Sequence, residues 1–209
     1  MNAASQTLDR VAPNSILTLY GTNLSFFEGP SLRILRGATR LPIFYISPGQ
    51  VNFLMPANTA EGLHFIQVTR SGTVGPRISV LVREQAPELF MTPENWLLAT
   101  RPGGKLITAA DPARPGDTIV FYGTGFGPVI STSKGAAGNL DWLEFITEFN
   151  VQVNGQPMPG LHFAGGAPTF EGLYQVNYTL PAIAEENPEI RVSARGDRSR
   201  AGTRLWFRP

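Results

Sequence analysis

The chain has 209 residues, 42% hydrophobic and only 16% charged, which excludes a charge-rich disordered segment. Its formal net charge of +1 supplies no global field for nucleic acid or for an anionic membrane surface. There is no cysteine, so thiol catalysis, disulfides and thiolate metal sites are excluded.

Glycine (22) and proline (18) together form about a fifth of the chain, above average usage, which suits many short strands joined by tight turns. Residues 1–10 contain no apolar signal-peptide core. No run approaches the about 20 apolar residues of a membrane-spanning helix, so membrane insertion is not expected.

In chain order, Pro13 precedes a first strand at Leu17-Thr18-Leu19-Tyr20, closed by Gly21 where the chain is expected to turn or bulge. A second strand is predicted at 32–35. In Gln50-Val51-Asn52-Phe53-Leu54-Met55, Val51, Phe53 and Met55 alternate with Gln50 and Asn52, the pattern of a half-buried antiparallel strand. Strands at 65–69 and 78–82 flank Arg70-Ser71-Gly72, a turn signal. The link between two modules is placed at 84–86, giving modules 1–84 and 85–209, with a hairpin at about 96–108 expected to pack across the join. A second series follows: 119–122, closed by Gly123 where a turn or bulge is again expected, then 151–153, the Asn154-Gly155 turn, 175–180, 190–194 and 204–207. Residues 141–150 suit a helix and a strand equally well.

The second series repeats the first. Leu17-Thr18-Leu19-Tyr20-Gly21-Thr22 is echoed by Ile119-Val120-Phe121-Tyr122-Gly123-Thr124, and Gln50-Val51-Asn52-Phe53 by Gln175-Val176-Asn177-Tyr178. Pro115 stands before the second copy as Pro13 does before the first. Two anchors in the same order indicate a duplicated module of roughly 100 residues. The predicted fold is all-β, two tandem immunoglobulin-like β-sandwiches. The copies differ between their anchors: 30 positions separate Tyr20 from Gln50, and 53 separate Tyr122 from Gln175. The longer loops of the second copy are where function is expected.

The string from Val11 to Leu24 resembles the opening strand of IPT/TIG immunoglobulin-like domains. The ordered set Phe44-Tyr45-Ile46-Ser47-Pro48-Gly49-Gln50, Ala86-Pro87-Glu88-Leu89-Phe90, Pro112 to Asp117, Tyr122 to Pro128 and Gly172 to Asn177 is similar to the uncharacterised C-terminal region of large secreted acidobacterial proteins. That resemblance, over about residues 8 to 208, implies a tandem Ig-like pair in an exported or cell-surface protein. It brings no catalytic residue with it.

No motif points to chemistry. Gly123-Thr-Gly125-Phe-Gly127 lacks the spacing of a phosphate loop. His64 and His162 have no second histidine or carboxylate at ligand spacing, and no nucleophile elbow occurs. Neither cofactor nor metal is expected. Candidate binding residues are the paired amides Gln50/Asn52 and Gln175/Asn177 and the loop aromatics Phe26, Phe27, Trp142 and Phe145. Amides can bond sugar hydroxyls or simply cross to a neighbouring strand, and aromatics can stack on sugars, anchor a protein or close a sandwich end. Trp96 and Trp206 read as core or hairpin residues. The C-terminal arginines (Arg191, Arg195, Arg198, Arg200, Arg204, Arg208) suit a protected sheet edge better than a nucleic-acid patch, and Arg195-Gly196-Asp197 reads as a turn. The expectation is a non-enzymatic monomer acting as spacer, adhesion or protein-interaction module, secreted or at the cell surface, with protein or polysaccharide as partner. The rival reading is a carbohydrate-binding module centred on Trp142 and Phe145.

Overall fold

A computed structural model describes residues 1–24, 32–130, 141–168 and 170–209. Among these residues the chain is nearly all β, with one short 3-10 turn at Ile146–Glu148. The first sandwich uses β1 (Ser15–Tyr20), β2 (Leu32–Arg36), β3 (Thr39–Leu41), β4 (Ile43–Ile46), β5 (Gln50–Met55), β6 (Gly62–Arg70) and β7 (Thr73–Val82). A 3-stranded sheet, β1-β5-β4, faces a 4-stranded sheet, β3-β2-β6-β7. The chain crosses between them after β1, β3 and β5, which is an immunoglobulin-like path. Leu17, Val51 and Phe53 from one sheet meet Ile34, Leu41, Ile66 and Val82 from the other in one buried cluster.

The second sandwich repeats the path. Its strands are β8 (Glu88–Leu89), β9 (Ala99–Thr100), β10 (Thr118–Thr124), β11 (Val129–Ile130), β12 (Asp141–Leu143), β13 (Phe149–Val153), β14 (Gln156–Pro157), β15 (Leu161–Gly166), β16 (Tyr174–Thr179), β17 (Ile190–Ala194) and β18 (Asp197–Arg198). A 7-stranded sheet, β11-β12-β15-β16-β10-β8 with β9 also on β10, covers a 4-stranded sheet, β14-β13-β17-β18. Ile119, Phe121, Val176 and Tyr178 pack there against Val151, Val153, Ile190 and Val192.

The repeated anchors are the two partners of one strand pair. β1 lies on β5 with Leu19 opposite Val51 and Tyr20 opposite Gln50. β10 lies on β16 with Phe121 opposite Val176 and Tyr122 opposite Gln175. A one-residue slip would turn every apolar side chain outward, so the register is tightly specified in both copies. The structure adds a third repeated feature that the sequence hid. β4 bulges between Ile43 and Tyr45 against β5, and β15 bulges between Leu161 and Phe163 against β16. Each bulge sets an aromatic opposite the asparagine, Tyr45 opposite Asn52 and Phe163 opposite Asn177.

The expected turns form. Ser71 and Gly72, Asn154 and Gly155, and Arg195 and Gly196 all have positive φ, with Asn154 at 49° and Gly155 at 79°. That is the geometry of a two-residue hairpin turn, and Arg195-Gly196-Asp197 is the β17–β18 tip. Four expectations need correction. Residues 141–150 are neither one helix nor one strand: β12 ends at Leu143, the 3-10 turn follows, and β13 begins at Phe149. Gly123 stays in strand rather than turning, paired with Tyr174 on one side and Leu89 on the other, and Phe126 and the Glu88 carbonyl press where a Cβ would be. The 204–207 segment makes isolated bridges, to Trp96, Ala113 and Glu189, instead of a continuous ladder. The hairpin at about 96–108 packs into the second core through Leu97, Ala99 and Ile107, and Trp96 stacks on Trp206 with ring centroids 3.4 Å apart.

What joins the two cores is a different set of residues. Ile16 and Leu54 lie on the outward side of the first sandwich yet are buried, outside its core cluster. Gly172 seals them: a Cβ there would lie 2.6 Å from Leu54 Cδ1. The Thr124 hydroxyl accepts the Ile16 N–H at 2.9 Å and donates to the Gly172 carbonyl at 2.7 Å. Asn14 Nδ2 donates to the Tyr174 hydroxyl at 3.1 Å, and Phe44 packs on Phe170. Burial pushes the Tyr174 phenol up to about 12.

Candidate functional site

The alternation that buries Leu17, Val51 and Phe53 and half-buries Leu19 turns the other side chains of β1 and β5 outward. The outward face of the β1-β5-β4 sheet carries Thr18 and Tyr20 on β1, Gln50 and Asn52 on β5, and Tyr45 on β4. Gln50 Nε2 donates to Asn52 Oδ1 at 2.8 Å, and the Thr18 hydroxyl donates to the same oxygen at 3.0 Å. Tyr20 and Tyr45 stand on either side of the amides, 52% and 50% exposed.

The equivalent face of the second copy repeats the amide bond, Gln175 Nε2 to Asn177 Oδ1 at 2.7 Å. Its surroundings differ. Across the row lie Tyr122, Gln175, Gly165, Trp142 and Ile130 on successive strands. Trp142 is 39% exposed and meets Phe163 edge-on, centroids 5.0 Å apart at 74°. Phe163, the counterpart of Tyr45, is thereby buried. β12 reaches β15 only because Gly165 has no side chain: a Cβ there would lie 2.0 Å from the Asp141 carbonyl oxygen and 2.7 Å from Phe163 Cζ.

The predicted pairing of Trp142 with Phe145 is not realised as one platform. Leu143, between them, points into the core and the chain turns. Phe145 lies under the Arg195 guanidinium, 4.3 Å from its ring centroid. Arg195 also pairs with Glu84 and, at 3.8 Å, with Glu148, so Phe145 belongs to the packing around the link between the cores. Phe26 and Phe27 lie outside the described residues. The amides occupy matching places, and in both copies they bond to each other along one strand; the bond that crosses to a neighbouring strand is that of Thr18 to Asn52 in the first copy. Sequence reasoning missed Tyr20 and Tyr45 as members of this face. Tyr20 was visible as the outward residue of the echoed strand; Tyr45 was not, because 5 positions separate Tyr45 from Gln50 and 12 separate Phe163 from Gln175.

Two further places are polar or hollow. Glu88 has a fully buried side chain between the cores, with Arg10 Nε at 3.5 Å and the Arg200 N–H donating to it at 3.2 Å. Burial pushes its carboxyl above the ordinary value, opposed by the Arg200 N–H, the Arg10 charge and a hydrogen bond with Ser5. Arg10 and Arg200 also bond the Arg198 and Ser5 carbonyls, which makes this a structural clasp. A cavity of about 610 Å³ opens at one end of the first sandwich, where Tyr20 and Arg70 are the ionisable lining residues among the described ones. The described lining provides no acid–base pair. The Arg cluster is largely engaged in the fold, Arg191 on the Ser199 carbonyl and Arg195 on Glu84 and Glu148. Among the described residues no group of three or more His, Asp or Glu could hold a metal ion, and no helix is long and apolar enough to cross a membrane.

No protein-family model matches this chain, and no curated protein matches it significantly. Among solved structures it is similar to a mixed-linkage glucan SGBP-B of Bacteroides ovatus, solved with a mixed-linkage heptasaccharide, at 14% identity and a TM-score of 0.44, over 96% of this chain and 44% of that one. It is also similar to the surface glycan-binding protein PbSGBP-B of Prevotella bryantii, at 15% identity and a TM-score of 0.32, over 98% of this chain and 40% of that one. A third similarity is to the fibronectin(III)-like modules of Clostridium thermocellum CbhA, at 13% identity and a TM-score of 0.27, over 99% of this chain and 94% of that one. The chain thus spans less than half the length of the first two.

Proposed function

We propose that this chain is a non-enzymatic accessory module of an exported or cell-surface protein, divided near residues 84–86 into two sandwiches that work as one rigid unit. The observation that carries this reading is the junction. The Thr124 hydroxyl, Glu88 and the Ile16–Leu54–Gly172 contact are buried between the cores, and buried polar groups with fixed partners define one arrangement. A freely jointed pair would leave these groups in water. Small-angle X-ray scattering tests the reading: the intact chain is expected to scatter as a single rigid particle, and a profile requiring a range of inter-sandwich angles would overturn it.

A second reading, polysaccharide binding by the second copy, is favoured by the half-exposed Trp142 in the same row as Gln175. An indole face packs on the C–H side of a pyranose while a nearby amide bonds its hydroxyls. On this second reading the chain is retained on insoluble cellulose, xylan or chitin and Trp142→Ala abolishes the retention. Equal retention of the variant would remove Trp142 from the site.

A further inference from the structure

The same face is filled in one copy and open in the other. In the second copy the inserted β12 closes over Phe163 with Trp142, using Gly165 and Gly166 as its landing place. In the first copy the residues after the bulge are Ser47 and Pro48, and they turn: the Ser47 N–H donates to the Gln50 carbonyl at 2.7 Å and the Gln50 N–H to the Ser47 hydroxyl at 3.0 Å. Among the described residues no strand approaches there as β12 does, and side chains stand where the second copy has glycines. The aromatic beside Asn52 therefore stays half exposed, whereas its counterpart beside Asn177 is 3% exposed.

We propose that Tyr20, Tyr45, Gln50 and Asn52 form a binding face for a neutral polysaccharide. This rests on the polysaccharide reading above for the class of ligand alone, and it moves the site to the other sandwich. The filled copy shows what the face accepts: a flat ring, there the Trp142 indole, set against the aromatic beside the asparagine. In the open copy a pyranose ring takes that place. The amide–amide bond holds both side chains in one orientation and leaves Gln50 Oε1 and Asn52 Nδ2 without partners among the described residues, an acceptor and a donor for sugar hydroxyls. The side chains of Thr18, Tyr20, Tyr45, Ser47, Gln50 and Asn52 carry no charge, and the Met1 ammonium beside them is tied to the Thr18 carbonyl at 2.9 Å, so a neutral chain docks without stripping water from a charged side chain. Tyr20 and Tyr45 flank β5 across two strand spacings and two residues of rise, roughly 12 Å, wider than one sugar ring. The ligand is therefore an oligosaccharide stretch rather than a monosaccharide.

The test is native gel electrophoresis of the intact chain through gels containing hydroxyethylcellulose, xylan, galactomannan or pullulan. Retardation by at least one polymer is expected. Tyr20→Ala and Tyr45→Ala, checked for folding by circular dichroism, should each weaken it about tenfold, the loss of about 1.4 kcal/mol of contact. Tyr20→Phe and Tyr45→Phe, which keep the flat rings, should restore what the alanine variants lose, Leu63→Ala at an exposed position on β6 should leave it unchanged, and free glucose should not compete. Retardation lost in Trp142→Ala but kept in both alanine variants of the tyrosines would overturn this site and leave the second-copy reading standing. No retardation by any of the four polymers would overturn both.

Discussion

Tyr20-Gly21-Thr22 and Tyr122-Gly123-Thr124 are the same tripeptide in different surroundings. In the first copy Gly21 and Thr22 are exposed at the end of β1. In the second, Gly123 lies beneath Phe126 and the Glu88 carbonyl, and Thr124 is buried with its hydroxyl bridging the two sandwiches. The amide pair shows the converse, with the same bond in both copies. A repeated residue keeps its place in the strand pairing, but what its side chain does depends on which end of the sandwich meets the other copy. The insertions follow the same logic. Tyr20 to Leu32 spans 12 positions and Tyr122 to Phe149 spans 27, and the longer connection contains β11 and β12 on the sheet edge.

The two cores carry the largest expected effect. Phe53→Ala and Phe121→Ala each empty a fully buried site, at a cost of about 3–5 kcal/mol. If the junction couples the copies, calorimetry should show one transition lowered by either substitution; two separable transitions would mean that the copies unfold alone. The glycines sharpen it next. An added methyl at Gly123 would lie 2.3 Å from Phe126 Cζ and 2.5 Å from the Glu88 carbonyl oxygen, whereas at Gly21 its nearest neighbour is the Leu24 side chain at 3.2 Å. Gly123→Ala should cost about 1–3 kcal/mol in denaturant unfolding, and Gly21→Ala clearly less; equal costs would contradict the close approach.

Thr124→Val keeps the shape but strands the buried Ile16 N–H, at about 1–3 kcal/mol, while Thr22→Val should be almost silent. The smallest effect is one of pH. Because burial raises the folded carboxyl of Glu88, the folded chain keeps this proton where the unfolded chain has lost it. The stability linked to this group is complete below the ordinary value of 4.5 and is lost as pH rises through the folded value. The unfolding midpoint of the wild type should therefore fall relative to Glu88→Gln as pH rises from below 4.5 toward neutral. A gap that widens in the opposite direction would show that Arg10 dominates the burial cost.

Much of this was legible in the residues. Alternation in Val51, Phe53, Met55 and in Val176, Tyr178, Leu180 marked the inward faces because strand periodicity is local. Asn154-Gly155 and Arg195-Gly196 marked hairpin tips because positive φ is a property of single residues. The Trp142–Phe145 pairing failed because nearness in sequence does not survive a strand end: Leu143 enters the core and Phe145 goes to Arg195. The segment at 141–150 was ambiguous because three structures share it.

The duplication, the all-β class, the inward faces and the turn positions follow from the residues alone, since each depends on spacing within a few residues or on an echo between copies. The matching bulges, the junction around Thr124 and Glu88, and the outward face that stays open arise only from packing. Those depend on contacts between strands far apart in the chain, on Gly165 admitting β12 in one copy and on Ser47 and Pro48 standing in that place in the other.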